Sequence, residues 1–375
     1  MARVERILIV GGGIAGLTLA TALHQQRLGA ELVERSPIWQ VTGAGIAVQP
    51  NGIRVLHALG LGSAIEHVGT VIRSWDFCDQ QGEVLCETDL QALWGEVGPF
   101  IGVARTQLQQ VLLAGAADIS SRLGTSVLSL TQDEQRVRVE FSDGNTRDYD
   151  LVVGADGIAS TVRRLTLGVE KPVYAGQMTW RSLAPIRPRS LTKLQFLLGE
   201  GCFFGLCPVG NGHTYGFGNV TVLRFHDAVQ GRLARLRERF AAFGGIVQDY
   251  LAALSSDEQI HCSAVEWVEH VAWYTGRVVL IGDAAHASSP MMGQGGCMAM
   301  EDACVLAEVL RDAASIESAL DTYVARRRPR VEWVQQHSRA VAESFGLPPA
   351  VRNAALRERG NQGMYDRFGP LVPSP

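Results

Sequence analysis

A glycine-rich turn stands between a short apolar run and a stretch of helical spacing at the start of the chain. The residues are Ile7-Leu8-Ile9-Val10, then Gly11-x-Gly13-x-x-Gly16, with apolar residues at helical intervals over 14–27. Residues 30–33 are predicted as a second strand, which ends at Glu34. Strand, turn, helix and strand in this order predict a βαβ unit, which commits the chain to an α/β fold with parallel strands.

The glycines have a mechanical function in such a unit. They permit a tight turn, let a pyrophosphate approach the backbone, and let the helix pack closely on the strand, while unpaired N–H groups at the helix N-terminus face the phosphates. A carboxylate at Glu34 can accept hydrogen bonds from both ribose hydroxyls of an adenosine and disfavours a 2′-phosphate. The unit predicts binding of FAD or NAD through Gly11, Gly13, Ile14, Ala15, Gly16, Glu34 and Arg35.

Two later segments extend this pattern. The middle motif is Gly154-Ala155-Asp156-Gly157-x-x-Ser160-x-x-Arg163, which follows a predicted buried strand. The late motif is Gly282-Asp283-Ala284-Ala285-His286-x-x-x-Pro290-x-x-Gly293-Gln294-Gly295, followed by Glu301-Asp302-Ala303. Because the late motif lies between a predicted strand and a predicted helix, it can direct N–H groups and a helix dipole at an anion. The N1–C2=O edge of a reduced flavin is such an anion, so this arrangement favours a flavoprotein.

With these three motifs in this order, the chain resembles the group A FAD-dependent aromatic monooxygenases, which are built like p-hydroxybenzoate hydroxylase. The resemblance covers essentially the whole chain. Within the group, Trp180-Arg181 and Gly293-Gln294-Gly295-Gly296-Cys297 resemble the salicylate hydroxylase and flavin-dependent urate hydroxylase branch. It implies a tightly bound, non-covalent FAD, NADH or NADPH as co-substrate, and O2.

The resemblance also implies roles for individual residues. Arg105 is expected near the ribityl and pyrophosphate part of FAD, and Asp283 is expected to bond that region. Asp156 and Gly157 belong to a segment linked to both FAD and NAD(P)H. The remaining predicted FAD contacts are Gly45, Val127, Pro290, Gly293, Gln294, Gly295 and Gly296. For His286, packing beside the cofactor is favoured over an acid–base role.

The reaction implied by the resemblance is an aromatic hydroxylation. NAD(P)H reduces FAD by hydride transfer, O2 adds at C4a to give a hydroperoxide, and its distal oxygen passes to an electron-rich aromatic carbon. The cofactor supplies this chemistry, while the protein positions the reactants and keeps the chamber dry. Pro290 is expected to line that chamber against the isoalloxazine face.

A sheet-rich region interrupts the nucleotide-binding pattern. Residues 71–89 have the alternation of a hairpin, and β character returns over 176–186, 193–198, 202–209, 213–223 and 261–269, with a helix predicted over 231–254. The predicted fold is α/β: a Rossmann-like FAD-binding domain (1–70, 100–171 and 272–343) interleaved with a sheet-rich substrate domain (71–99 and 172–271), plus C-terminal helices and a tail at 344–375.

The substrate residues are expected in this second lobe and in the loop at 286–292. The candidate contacts are Trp180, Phe203, Phe204, Tyr215, Phe217, Met291 and Met292, and the candidate catalytic residues are Pro290, Tyr215, His213 and Arg181. Aromatic and methionine side chains suit a flat, largely apolar ligand. Tyr215 and His213 are the nearest candidates for activating a phenol by hydrogen bonding or proton removal.

One substitution relative to the resemblance bears on the substrate. Where a urate-oxidising member would be expected to offer a cation near 199–204, this chain has Cys202, Phe203 and Phe204. Urate is therefore disfavoured, and a bulkier, less charged aromatic such as a phenol, quinolone or polycyclic metabolite is favoured.

Composition excludes several other classes. A formal net charge of -4 argues against a surface for nucleic acid. No apolar run reaches the length of a membrane span or resembles a signal peptide. The seven cysteines do not suggest a disulfide framework, and Cys202 and Cys207 lack a second pair at ligand spacing, so no metal site is expected. We expect a cytoplasmic enzyme that acts as a monomer or homodimer.

Two local interpretations and two alternative functions remain open. Asn51 is predicted to cap a helix that runs to about Leu59, and the basic stretch 326–330 is interpreted as a solvated helix face rather than a site for an anionic partner. The alternatives are a related flavin oxidoreductase (an oxidase, halogenase or reductase) and a non-catalytic dinucleotide-binding protein. The Trp-x-Trp-x-x-Ile-Pro signature of halogenases is not found.

Overall fold

The structure, a computed structural model, describes residues 5–40, 44–168, 171–188, 191–269 and 272–375. The first four residues and Val271, which bound two of the predicted domain segments, lie outside the described residues. The strands are β1 (Ile7–Val10), β2 (Ala30–Glu34), β3 (Gly45–Val48), β4 (Thr70–Ile72), β5 (Ser74–Asp79), β6 (Val84–Asp89), β7 (Phe100–Ala104), β8 (Ser120–Leu123), β9 (Val127–Gln132), β10 (Val137–Phe141), β11 (Thr146–Tyr149), β12 (Leu151–Gly154), β13 (Val173–Ala184), β14 (Leu194–Leu198), β15 (Cys202–Pro208), β16 (Thr214–Thr221), β17 (Ile260–Trp267), β18 (Tyr274–Thr275) and β19 (Val278–Leu280). The helices are α1 (Ile14–Gln25), α2 (Pro50–Ala58), α3 (Gly62–Val68), α4 (Leu90–Trp94), α5 (Arg105–Gly115), α6 (Thr161–Leu167), α7 (Arg232–Arg239), α8 (Ile246–Ala253), α9 (Asp283–His286), α10 (Gly295–Asp312), α11 (Ile316–Phe345) and α12 (Pro349–Phe368).

The first sheet contains the predicted βαβ unit. Its order over the described residues is β18-β19-β12-β1-β2-β8, and β1 pairs in parallel with both β2 and β12. A Cβ atom added to Gly16 would lie 1.9 Å from the carbonyl oxygen of Gly11, so only glycine permits this approach of helix to turn. Because β1, β12 and β19 are adjacent, the three motifs that follow them emerge at one edge of the sheet.

The large sheet is built from the interrupting segments. Its order over the described residues is β17-β13-β16-β15-β14-β5-β6, and the hairpin predicted over 71–89 joins it through the parallel pair of β14 with β5. Two smaller sheets, β3-β7-β4 and the meander β9-β10-β11, complete the described sheets. A mixed α/β fold is therefore confirmed.

The two faces of the large sheet belong to different hydrophobic cores. On one face, Phe204 packs edge-on against Phe240 of the segment that follows α7, with ring centroids 5.0 Å apart. On the other face, Phe203 stacks with Phe196, with centroids 5.4 Å apart, within the larger core. Alternation of side chains along each strand produces this division.

The helix predicted over 231–254 is wrong in its continuity. The structure has two helices, α7 and α8, separated by a turn at Gly244 and Gly245. Gly245 has φ +46°, a left-handed conformation that glycine adopts without steric cost. The break lets both helices cover one face of the large sheet.

The predicted cap at Asn51 is also wrong. Helix α2 begins one residue earlier with Pro50 at its first position, where the missing N–H of proline costs no helical hydrogen bond. Asn51 is therefore inside the helix and fully buried, and its side chain donates hydrogen bonds to Gln294 and Glu301 instead of capping the helix.

The C-terminal segment predicted as a tail contains a helix. Pro349 starts α12, which packs against β6 of the large sheet, and the ring of Phe368 near its end lies tilted against Trp75 with centroids 6.0 Å apart. Trp333 of α11 donates a hydrogen bond from Nε1 to the carbonyl oxygen of Arg367 at 3.0 Å. None of the helices in the described ranges is long and apolar enough to cross a membrane.

Candidate functional site

A cavity of about 360 Å³ opens where the first and middle motifs meet. Half of the predicted cofactor residues line it: Gly11, Gly13, Ile14, Glu34, Arg35, Arg105, Val127, Asp156 and Gly157. Trp39 and Thr125, which no sequence motif indicated, also line it. The cavity therefore runs from the end of β2, past the N-terminus of α1, to the middle motif.

The N-terminus of α1 fits a pyrophosphate. Gly13 precedes the helix, no side chain caps it, and its first turn contains no acidic residue. A Cβ atom added to Gly13 would meet no atom within 4 Å, so the backbone here faces open space. Free N–H groups and the positive end of the helix dipole are the features that bind a phosphate group.

Glu34 is held in place by its own neighbours. Its Oε2 accepts a hydrogen bond from the backbone N–H of Gly12 at 2.8 Å, and its Oε1 accepts one from Ser36 at 2.8 Å. The carboxylate is thereby fixed at the carboxyl end of β2, on the wall of the cavity. This position suits an adenosine ribose.

A second group of predicted residues lies around the late motif. A Cβ atom on Gly282 would be 3.1 Å from the Cβ of Ala15, and one on Gly295 would be 3.8 Å from Oδ1 of Asp283. A Cβ atom on Gly296 would be 3.6 Å from Cδ1 of Ile14, which also lines the cavity. The first and late motifs are thus in direct contact, and the residues present fit an extended dinucleotide such as FAD.

Asp156 lines the cavity, and its carboxylate also caps helix α6. Its Oδ2 accepts hydrogen bonds from the backbone N–H groups of Thr161 and Val162, at 2.7 and 3.0 Å, and its Oδ1 accepts one from the hydroxyl of Ser160. These bonds satisfy the first turn of α6. The neighbouring Gly157, with φ +77°, turns the chain along the cavity wall.

The ring loop, residues 290–296, follows α9. Pro290 and Gly293 are exposed, and Gly293 has φ +64°, whereas Met291, Met292 and Gln294 are buried. Gln294 donates a hydrogen bond from Nε2 to Oε1 of Gln49 at 2.8 Å, and its Oε1 accepts one from Nδ2 of Asn51 at 2.9 Å. The side chain of Gln294 is therefore turned inward, and only its backbone is available to a ligand.

His286 belongs to a buried charged cluster. Its Nε2 lies 2.5 Å from Oδ2 of Asp302, and Arg327 donates a hydrogen bond from Nε to Oδ1 of the same carboxylate at 2.8 Å. Burial by itself would raise the pKa of Asp302, but His286 and Arg327 outweigh it and lower that pKa to about 2. His286 also packs on Trp273, so the packing interpretation of this histidine is the one that the geometry favours.

The interpretation of 326–330 as a solvated helix face is wrong. Arg327 is 0% exposed, and Arg330 donates hydrogen bonds from Nε and Nη2 to Glu301, each at 2.8 Å. Glu301 is itself fully buried. A run of arginines does not reveal this, because its acidic partners lie more than twenty residues away in α10.

Tyr215 and Arg181 lie on the face of the large sheet that bears Phe203, here called the chamber face because the substrate is expected there, and Arg105 of α5 interacts with both. The ring of Tyr215 lies against Gly45, since a Cβ atom there would be 2.4 Å from its Cγ. Burial raises the pKa of Tyr215, although Arg181 and Arg105 act in the opposite direction. Tyr215 is therefore protonated at neutral pH and able to donate a hydrogen bond.

Three of the predicted residues are placed elsewhere. Trp180 is 3% exposed and donates a hydrogen bond from Nε1 to Asp227 at 2.8 Å, in the core beneath α7 and α8. Phe204 lies in the same core. The imidazole of His213 bonds the carbonyl oxygen of Asn211 in its own turn, at 3.0 Å. Strand alternation excludes Trp180 and Phe204 from the chamber face, so we correct that part of the prediction.

An aromatic wall covers the chamber face. Phe217 lies 5.2 Å from Phe196 and 5.0 Å from Tyr215, and Phe203 lies 5.4 Å from Phe345 of α11. Phe196 and Phe345 were missed from the sequence, because neither is near a motif. Arg181 pairs with Phe217 across β13 and β16, which places a cation at the polar end of this wall.

Comparison with known proteins agrees with this geometry. The family described as "FAD binding domain" matches residues 5–338. Aurachin C monooxygenase/isomerase of Stigmatella aurantiaca is 34% identical over 86% of this chain and 85% of that protein. The 2-heptyl-3-hydroxy-4(1H)-quinolone synthase of Pseudomonas aeruginosa is 30% identical over 88% of this chain and 87% of that protein. The crystal structure of Klebsiella pneumoniae HpxO with FAD and uric acid has 30% identity and a TM-score of 0.90, covering 98% of this chain and 97% of that one.

Proposed function

We propose a substrate class for this chain, which belongs to the FAD-binding-domain family and is an FAD-dependent aromatic monooxygenase of group A. The proposed substrate is a fused-ring heteroaromatic compound with one hydrogen-bonding edge and an apolar body, of the 4-quinolone type. The observation that carries this proposal is the aromatic wall, with its polar residues gathered at one end.

The apolar body is accounted for by the aromatic rings. Phe196, Phe203, Phe217 and Phe345 form a continuous surface with neighbouring centroids 5.2 to 6.4 Å apart. Such a surface favours a flat apolar ligand by burial of area and by ring stacking. It offers no compensation for a ligand that is polar on every edge.

The hydrogen-bonding edge is accounted for by Tyr215 and Arg181. The phenol of Tyr215 donates, and Arg181 supplies positive charge beside it, so together they fit a carbonyl, phenolate or enolate oxygen. Electron density at such an oxygen activates the adjacent ring carbon toward an electrophile. FAD, when bound and reduced by NAD(P)H, would activate O2, from which this carbon receives one oxygen atom while the other leaves as water.

Among the described residues, the end of the aromatic wall near Phe203 offers no available cation, which disfavours a substrate that is polar on every edge, such as urate. At the turn over 199–202, Arg352 donates hydrogen bonds to the carbonyl oxygens of Gly199 and Leu198 at 2.6 and 3.1 Å. Its guanidinium is buried behind that turn. The relative named for a quinolone and the neighbour bound to uric acid represent the two substrate classes, and this wall favours the first.

The test compares substrates on one protein preparation. A flavin absorbance spectrum is recorded first, and consumption of NADH and of NADPH is then followed with a 2-alkyl-4-quinolone, a simple hydroxybenzoate and urate. We expect the quinolone to accelerate consumption most and to yield a product heavier by one oxygen atom. Acceleration by urate, or by the hydroxybenzoate, with none by the quinolone would refute the proposed class while leaving the monooxygenase in place.

A further inference from the structure

The last residues of the chain accept hydrogen bonds from two arginines that also contact Glu301, a buried residue of α10. Arg330 of α11 donates hydrogen bonds to the carbonyl oxygens of Pro370 and Leu371, at 3.0 and 2.7 Å. Arg54 of α2 donates to the carbonyl oxygens of Val372 and Pro373, at 2.7 and 3.1 Å. Residues 370–373, here called the C-terminal strap, thus supply four backbone acceptors to two guanidinium groups.

Both arginines converge on one carboxylate. Glu301 is fully buried in α10 and accepts from Arg330 through both of its oxygens, while Nη2 of Arg54 lies 3.7 Å from its Oε1. Arg327 donates to Oε2 of Glu301 at 2.6 Å. A buried carboxylate with this many partners is confined to one position, because losing any partner leaves charge without compensation.

The side chain of Asn51 connects Glu301 to the ring loop by hydrogen bonds. Nδ2 of Asn51 lies 3.1 Å from Oε1 of Glu301 and 2.9 Å from Oε1 of Gln294. Gln49 completes the contact by donating from Nε2 to the carbonyl oxygen of Met292 at 2.6 Å. The ring loop is therefore tied to the α2 segment that Arg54 and Glu301 anchor, through the carbonyl group of Met292 on one side of Gly293 and the side chain of Gln294 on the other.

We propose that the C-terminal strap fixes the position of the ring loop through Arg54, Arg330, Glu301 and Asn51, a chain of contacts here called the relay. The ring loop faces the flavin, so its position affects the midpoint potential of bound FAD. These are positioning residues, since none of them faces the cavity. The inference rests on the proposed placement of Gly293, Gln294 and Gly295 beside the pyrimidine ring. Backbone N–H groups stabilise negative charge there only if they are fixed before the flavin is reduced.

The test compares the wild-type protein with two variants, each with and without bound FAD. One lacks residues 370–375, and the other carries Arg330→Gln. The matched control is Arg357→Gln in α12, which removes an exposed ion pair with Glu83 and touches nothing in the relay. The readouts are the midpoint potential of bound FAD and hydrogen exchange of the amides of 291–296 in the protein without FAD.

Both variants should shift the reduction equilibrium of FAD toward the oxidised form by roughly tenfold. A tenfold change corresponds to the net free energy of about one buried hydrogen bond between the ring loop and the reduced flavin. Exchange in the ring loop should rise by a similar factor, and Arg357→Gln should change neither. Arg330→Lys should recover only part of the effect, because an ammonium cannot bridge Glu301 and two carbonyl groups.

A lowered melting temperature with unchanged potential and unchanged loop exchange would overturn the proposal and leave the strap a purely structural element. If the truncated chain does not fold, Arg54→Gln provides the same comparison, since it removes two strap contacts from a partly exposed position. These readouts need no substrate, so failure of the proposed quinolone activity and failure of this relay are separate results.

Discussion

Arg163 of the middle motif donates a hydrogen bond from Nη1 to the carbonyl oxygen of Ala284 in the late motif, at 2.6 Å. Its Nη2 donates to the carbonyl oxygen of Ile158, also at 2.6 Å. One buried guanidinium thus fixes two cofactor-binding segments that lie more than one hundred residues apart in the chain. The arginine of the middle motif is therefore explained by the backbone it holds.

We expect Arg163→Met to lower the free energy of unfolding by about 2 to 4 kcal/mol, because two buried carbonyl groups lose their donor. Affinity for FAD should fall as well, because the hydrogen bond from Arg163 that fixes α6 against α9 is lost. Urea unfolding and flavin fluorescence titration measure the two effects. Arg164→Met, one residue along and more exposed, is the control and should change neither quantity. Equal effects of both substitutions would refute the bridging role.

Asp302 should give the protein a pH-dependent stability. Its folded pKa of about 2 lies below the ordinary value of 3.8, so its stabilisation is present above pH 4 and is lost as the pH falls through about 2. The difference corresponds to about 2 kcal/mol at neutral pH. Asp302→Asn should destabilise more than this, by about 3 to 5 kcal/mol, because Arg327 and His286 lose a buried anion.

The check on Asp302 is a series of urea unfolding curves between pH 7 and pH 2.5. The gap between the wild-type chain and Asp302→Asn should narrow as the pH falls below 4. Asp118→Asn, at an exposed carboxylate beside His24, should leave the whole profile unchanged. A gap that stays constant down to pH 2.5 would show that the charge of Asp302 does not matter.

Phe203 and Phe204 offer a matched pair of adjacent substitutions. Phe203→Leu should raise KM for an apolar aromatic substrate roughly tenfold, because it removes ring contact from the chamber face. Phe204→Leu should leave KM unchanged and cost about 1 to 2 kcal/mol of stability in the other core. Steady-state kinetics and thermal unfolding separate the two. Similar KM values for both variants would contradict the assignment of faces.

Tyr215→Phe should lower kcat/KM for hydroxylation about 3- to 10-fold, the effect of one lost hydrogen bond. It should leave the FAD spectrum and affinity unchanged. Because burial holds the pKa of Tyr215 above its ordinary 10.0, no step in the rate between pH 7 and 9 belongs to this residue. If the pH–rate profile of the wild-type chain has an alkaline limb in that range and Tyr215→Phe removes it, the tyrosine acts as a base instead.

The elements that bind the nucleotide could be predicted because their causes are local. A glycine at position 16 is required by a contact only five residues away in the chain, and Glu34 ends the very next strand. The same holds for the hairpin of β5 and β6, whose alternation and turn lie within sixteen residues. Local steric rules and period-two patterning suffice in such cases.

The remaining features depend on distant partners. Nothing near Arg327 in the sequence indicates Glu301 and Asp302, which arrive from another helix. The face of Trp180 could not be counted along β13, because a register shift lies between Tyr174 and Met178. Asn51 resembled a helix cap because its true partners, Gln294 and Glu301, are some 250 residues away.

The division of the large sheet into two cores has a consequence for anyone who wishes to redirect this enzyme. Along β15 and β16, alternate positions lie in different cores: the positions proposed to contact the substrate belong to the larger core, and the others pack beneath α7 and α8. A library restricted to 203, 215, 217 and 345 would explore substrate preference while sparing the core beneath α7 and α8. If positions 180 or 204 were randomised instead, most variants in the library would fail to fold, because both side chains are buried in that core.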